Sequence, residues 1–234
     1  MWARWSDDAP VKLARDVVGL LAGPVLGGVL RLRGTISLHA SVVEIASRAV
    51  VLVGHRGAGK STLAAAMAQE GHPILSDDVA AVTEDGGHWV VEPGYPCLRL
   101  KTSAFETLDP APPNAGLAIS GLEKRYVALS DAPDARCWRF QPRPLPLGTI
   151  LELRRDPEVA APSFERVDGA ERLTLLLDHR RTGLGDLDRA AQDRELRQLA
   201  RLGTDVPVWR VSYPDRLEDL SATQALLVDR IQRG

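Results

Sequence analysis

The stretch VVLVGHRGAGKSTLAAAMAQEGHPILSDD, residues 50–78, joins an apolar run, a glycine-rich turn, a lysine, an alanine-rich segment and two adjacent aspartates. Its centre fits G-x-x-x-x-G-K-[ST]: Gly54, then His55, Arg56, Gly57 and Ala58, then Gly59, Lys60 and Ser61, with Thr62 following. A strand-like run before the motif and a helix-like run after it supply the context that a phosphate-binding loop requires. The glycines let successive backbone N–H groups curl towards phosphate oxygens, and a helix beginning near Lys60 adds a favourable dipole. Lys60 is placed to bridge β- and γ-phosphate and Ser61 to ligate Mg²⁺. The chain carries four lysines against 25 arginines, so a lysine at this position reads as a requirement.

The aspartates arrive early. Asp77 lies 16 residues past Ser61, room for one helix and one short turn. The segment Pro73–Ser76 is therefore expected to return as a strand beside the loop strand and to deliver Asp77 and Asp78 at its carboxyl end, where open α/β sheets bind ligands. Two neighbouring carboxylates can divide the work, one organising Mg²⁺ and its waters, the other accepting a proton from an attacking hydroxyl. Spacing alone leaves open which does which.

Outward from this segment, Thr35–Ile45 and Ala49–Gly54 read as strand, turn, strand, and Lys60–Glu70 as a helix stopped by Gly71 and Pro73. Residues 74–83 read as a strand pair or one bent strand, Glu84–Gly87 as a hairpin turn and His88–Pro93 as the returning strand. Later come a strand at Leu147–Leu153, helices at Glu171–His179 and Asp193–Leu202, a strand at Val206–Tyr213 and a closing helix at Leu217–Arg233. This alternation predicts an α/β fold, a phosphate-loop NTPase-type sheet flanked by helices. Leu108–Gly116 is a candidate linker, hinge or substrate loop.

The composition is that of one soluble domain with decorations: 44% hydrophobic, 26% charged. A net charge of -2 gives no electrostatic footprint for nucleic acid. The apolar Val17–Leu30 is shorter than a bilayer span and holds Pro24, so it is expected to be a buried helix followed by a turn, with neither membrane insertion nor a signal peptide. Cys97 and Cys137 have no zinc or disulfide spacing, which fits a reducing cytoplasm.

The segment from Gly54 to Asp78 resembles the catalytic domain of the bacterial HPr kinase/phosphorylase family, in which an Asp-Asp pair follows the nucleotide loop at this spacing. The likeness spans residues 35–82 and includes His39, in LHA, 15 residues before Gly54. It implies that Asp77 is the catalytic base, that Asp78 supports metal and nucleotide, and that His39 tunes the aspartate or the transferred group. The family's separate N-terminal domain is not expected: residues 1–34 are taken as a helical extension and 35–234 as the catalytic domain.

HAS, GAGKS, DD, the GYP and LRL of VVEPGYPCLRL, and EKRYVAL further resemble compact members of this family that phosphorylate a serine on lasso-peptide precursors. Where the HPr kinase/phosphorylase family carries a second signature, a glycine-rich segment with an acidic residue, this chain has VVEPGYPCLRL, with Glu92 as the candidate for that carboxylate; the likeness to the compact members makes Lys124 and Arg125 candidate contacts to phosphate or substrate. His179, Arg180 and Arg181 read instead as cations compensating a helix C-terminus. The resemblance implies an ATP- and Mg²⁺-dependent kinase acting on a serine of a peptide or small protein, and is compatible with a homo-oligomer. The alternatives are an ATP-binding regulatory module that transfers nothing and a kinase of a small-molecule hydroxyl.

Overall fold

The computed structural model describes residues 17, 19–108, 115–119, 124–132, 137–182 and 187–233. The tip of the candidate loop at 109–114, and Glu123, lie outside them. The chain enters through a π-helical turn, Leu21–Val25, that carries Pro24 and continues directly into α1, Leu26–Leu32. The wider turn absorbs the N–H that proline lacks, so the helix runs past Pro24 where a turn was expected.

Three strands follow, β1 (Ile36–Leu38), β2 (Ser41–Ile45) and β3 (Arg48–Val53). The β2–β3 hairpin turns at Ala46 and Ser47, both at positive φ. β3 is apolar after Arg48 because both its faces are covered. Val50 and Leu52 enter one core and Ala49, Val51 and Val53 the other.

Helix α2 (Lys60–Gln69) buries nearly every residue. It is wedged between β2, strand β7 (Cys97–Lys101) and the closing helix, where alanine permits close approach on all sides. β4 (Ile74–Asp77), β5 (Ala80–Asp85) and β6 (His88–Glu92) complete the first half. A short α3 (Thr102–Thr107) and strands β8 (Ala115–Ile119), β9 (Lys124–Ser130) and β10 (Trp138–Arg139) lead to the long β11 (Leu145–Arg155). The remainder is β12 (Ser163–Arg166), α4 (Ala170–Asp178), α5 (Arg189–Asp205), β13 (Val208–Tyr213), a 3₁₀ turn at Leu217–Asp219 and α6 (Leu220–Arg233).

Among the described residues the main sheet has the order β1-β5-β6-β11-β3-β2-β4, with β13 beside β11 and β12 beside β13. β11 is the pivot. Its start pairs antiparallel with β6, and its later residues run parallel to β3 and β13. The result is a mixed α/β architecture with a curled sheet, many of whose pairings are antiparallel, where the sequence pointed to an NTPase-type sheet flanked by helices. Tight turns close the β2–β3 and β5–β6 hairpins, and such turns permit only antiparallel neighbours.

One placement differs from expectation in a way that matters for the site. β4 does not lie beside the loop strand; it pairs with β2, which separates it from β3. The two-residue turn makes β2 the neighbour of β3, so α2 must carry the chain over one further strand. Asp77 still reaches the loop, because β4 and β3, each antiparallel to β2, end at the same sheet edge. A second sheet, β10-β9-β7 with β8 also on β9, packs on the other side of α2.

Candidate active site

The loop after β3, the end of β4, the end of β1 and the end of β11 converge on a cavity of about 330 Å³. Gly59 caps α2 at φ 87, and a side chain there would collide with the Tyr213 hydroxyl. That hydroxyl donates to the Ala58 carbonyl at 2.5 Å and fixes the loop to the end of β13. Gly54 is equally constrained: at φ 151, a Cβ would come 2.8 Å from the Leu153 carbonyl oxygen. These glycines are dictated by sterics as well as by backbone conformation.

Lys60 is buried, and its ammonium donates to the carbonyls of Gly54 at 2.7 Å and His55 at 3.3 Å. Burial lowers its pKa, opposed by the nearby charges of Asp77 and Asp78. Ser61 Oγ donates to Asp77 Oδ1 at 2.9 Å, and Ser41 Oγ donates to the same oxygen at 2.6 Å. The other Asp77 oxygen accepts the Arg99 backbone N–H at 2.9 Å.

Asp78 turns away from its neighbour. Among the described residues it is one of three non-glycine residues with positive φ, at 75°, a conformation aspartate tolerates better than most. His39 Nδ1 lies 3.1 Å from its carbonyl and 3.2 Å from Oδ1. Its Oδ2 is held by the guanidinium of Arg99 and by that of Arg181 at 2.7 Å. Burial alone would raise the carboxyl pKa, but the His39 hydrogen bond and the two guanidinium charges hold it well below the usual range.

The cavity wall gathers Arg56, Lys60, Arg99, Lys101, Lys124 and Arg155 against Asp77, Asp78 and Asp215. That excess of cations in a partly desolvated recess suits a polyphosphate anion. Lys124 stands on this wall with a pKa lowered by burial and by Arg99. Burial pushes the Cys97 thiol up to about 12, with Asp77 adding to the effect, which disfavours the thiolate. Among the described residues no cluster of His, Cys, Asp and Glu forms a metal cage. Ser61 and Asp77 offer hard oxygen donors of the kind Mg²⁺ takes when nucleotide phosphates and water supply the rest.

The structure thus brings together His39, Arg56, Gly57, Gly59, Lys60, Ser61, Thr62, Asp77, Asp78 and Lys124. Gly54, His55 and Ala58 belong to the same loop without lining the cavity, and two further candidates fall elsewhere. Glu92 accepts from Thr83 Oγ1 at 3.2 Å on the β5–β6 hairpin and does not line the cavity. Arg125 alternates with Lys124 along β9 and lies over the Phe105 ring, 5.2 Å from its centre.

The basic triplet after α4 does more than compensate a helix end. Arg180 does donate to the Leu177 carbonyl. Yet His179 lies 3.7 Å from Glu152, Arg180 pairs with Glu195 at 3.0 Å, and Arg181 reaches Asp78. Residues 179–181 add to the edge of β1 through His39 N–H to His179 O and Arg181 N–H to Ser37 O, both 2.7 Å. Ser41, Arg99, Lys101, Arg155, Arg181 and Asp215 are residues in or beside the site that the sequence reading did not assign to it. The usable signals were Ser41 in HAS, Arg99 in the LRL element and Arg181 in the basic triplet.

No protein-family model matches the chain, and no curated protein matches it. Among solved structures it is similar to the Hpr(Ser) kinase/phosphatase of Coxiella burnetii, at 14% identity and a TM-score of 0.42, over 84% of this chain and 97% of that one. A likeness this distant carries no weight for the chemistry, which rests on the site itself. No described helix is long and apolar enough to cross a membrane.

Proposed function

We propose that the protein is a Mg²⁺- and ATP-dependent phosphotransferase that moves a γ-phosphoryl group to a hydroxyl. The observation that carries this reading is the hydrogen bond from Ser61 to Asp77, which joins the phosphate-loop hydroxyl to the first of two adjacent carboxylates. Mg²⁺ bound beside this pair would supply charge neutralisation for the phosphates. Lys60 and the loop amides orient the chain of phosphates, and the surrounding arginines offset the charge that spreads over the transferred group.

The same contact favours exchanging the two roles implied by the resemblance. Asp77 shares the metal side with Ser61, whereas Asp78, turned towards His39, Arg99 and Arg181, is left to face the acceptor. A carboxylate so held is a weak base. In a loose transition state the attacking hydroxyl loses its proton late, so positioning matters more than basicity.

A serine of a peptide or small protein is the acceptor that the likeness of residues 35–82 supports, and the cytoplasm is the compartment that fits. The test is transfer of radiolabel from γ-labelled ATP to serine peptides, with ATP affinity measured in parallel. Labelling that vanishes in Lys60→Ala supports the reading. Tight ATP binding without labelling of any peptide or small-molecule alcohol would leave a nucleotide-binding module.

A further inference from the structure

A second cavity, of about 370 Å³, opens at the opposite edge of the main sheet, where β3 and β11 begin. Its walls are apolar: Ile45, Phe164, Trp209 and Ile231 all line it. Its charged lining is of one sign, Arg48, Arg166 and Arg230, with no carboxylate among the lining residues. Arg166 is already paired with Asp168 at 3.4 Å. Arg48 and Arg230 have no ion-pair partner among the described residues, and Arg230 lies over the Trp209 ring, 5.1 Å from its centre.

The backbone is adjusted to this arrangement. The β3–β11 pairing slips between Leu147 and Thr149, and the skipped residue is Gly148. A Cβ on Gly148 would stand 3.1 Å from Arg48 Cβ and 3.3 Å from its Cδ, so the glycine lets the arginine stem cross the strand. The one hydroxyl in the wall, Thr149, already donates to the Pro207 carbonyl at 3.0 Å. What remains unmet is apolar surface and positive charge.

We propose that this cavity binds a single-chain apolar acid, its chain among Ile45, Phe164, Trp209 and Ile231 and its carboxylate on Arg48 and Arg230. Guanidinium groups take a carboxylate in a planar, two-point contact, and the stacking on Trp209 preorients one of them. The apolar body supplies affinity and the head group supplies selectivity.

Decanoate is the probe, with decanol and decylammonium as controls of matched chain, and binding is read by calorimetry and by tryptophan fluorescence. Decanoate is expected to bind in preference to both controls. Arg48→Ala with Arg230→Ala should weaken decanoate by roughly tenfold or more while leaving decanol unchanged. Both arginines are exposed, so the fold should survive their loss. Ile231→Trp, which fills the cavity, should abolish binding of decanoate and decanol alike. Equal binding of acid and alcohol, an affinity indifferent to the two arginines, or no decanoate binding at millimolar concentration would overturn the proposal.

Discussion

At the scale of single residues, the left-handed backbone of Asp78 sends two adjacent carboxylates to different partners. Asp77 meets two serine hydroxyls and a backbone N–H; Asp78 meets a histidine and two guanidinium groups. On the proposed function, Lys60→Ala should lower kcat/KM at least about tenfold, or about 1.4 kcal/mol, because it removes the buried ammonium held at the loop carbonyls. Steady-state transfer kinetics check this, and unchanged activity would remove the phosphate-loop reading. Ser61→Ala leaves the amide cradle intact and should instead raise the Mg²⁺ concentration needed for half-maximal activity. An unaltered Mg²⁺ titration would confine Ser61 to a structural role.

At the scale of elements, a close contact joins α1, the π-turn before it, and Arg181. A Cβ on Gly27 would lie 2.6 Å from Arg181 Cγ, and one on Gly23 would lie 2.6 Å from both Arg181 Nη2 and Asp78 Oδ2. Replacing a helical glycine by alanine ordinarily stabilises by about 0.5–1 kcal/mol. Here overpacking, at about 1–3 kcal/mol, should win. Gly27→Ala is expected to lower Tm in thermal unfolding; a raised Tm would mean that the helix does not rest on Arg181.

This contact also marks where the sequence stops being legible. The glycine-rich turn, its flanking strand and helix, and the aspartates are written in one contiguous segment, and local pattern suffices to place them. Arg181 pairs with an aspartate 103 residues away, and no local pattern encodes such a partner. β7 and β9 escaped recognition because their alternation mixes leucine, valine and alanine with arginine and lysine lining the site. The misplaced β4 has the same origin, since pairing with β2 is decided by hairpin geometry outside the segment read.

At the scale of the whole molecule, the buried Glu152 ties β11 to β13 and to the end of α4. Arg210 donates to it at 2.7 Å, Arg154 lies at 3.2 Å and His179 at 3.7 Å. Burial would raise its pKa, but the nearby His179 and the hydrogen bonds from Arg210 and Arg154 hold it down to about 2 from an ordinary 4.5. The folded pKa is the lower one, so this stabilisation is present above about pH 4.5 and is lost as pH falls towards about 2. Urea unfolding across that window should show Glu152→Gln less stable than the parent at neutral pH, with the gap closing in acid. A constant gap would contradict the assignment.

The whole arrangement amounts to a phosphotransferase only if binding and chemistry separate at the aspartates. The direct measurement is transfer rate and ATP affinity as functions of Mg²⁺ for Asp77→Asn and Asp78→Asn. Asp78→Asn is expected to keep ATP affinity and lose transfer by roughly 100-fold, while Asp77→Asn shifts the Mg²⁺ requirement upward. Full transfer by Asp78→Asn, with an unshifted Mg²⁺ requirement in Asp77→Asn, would contradict the mechanism.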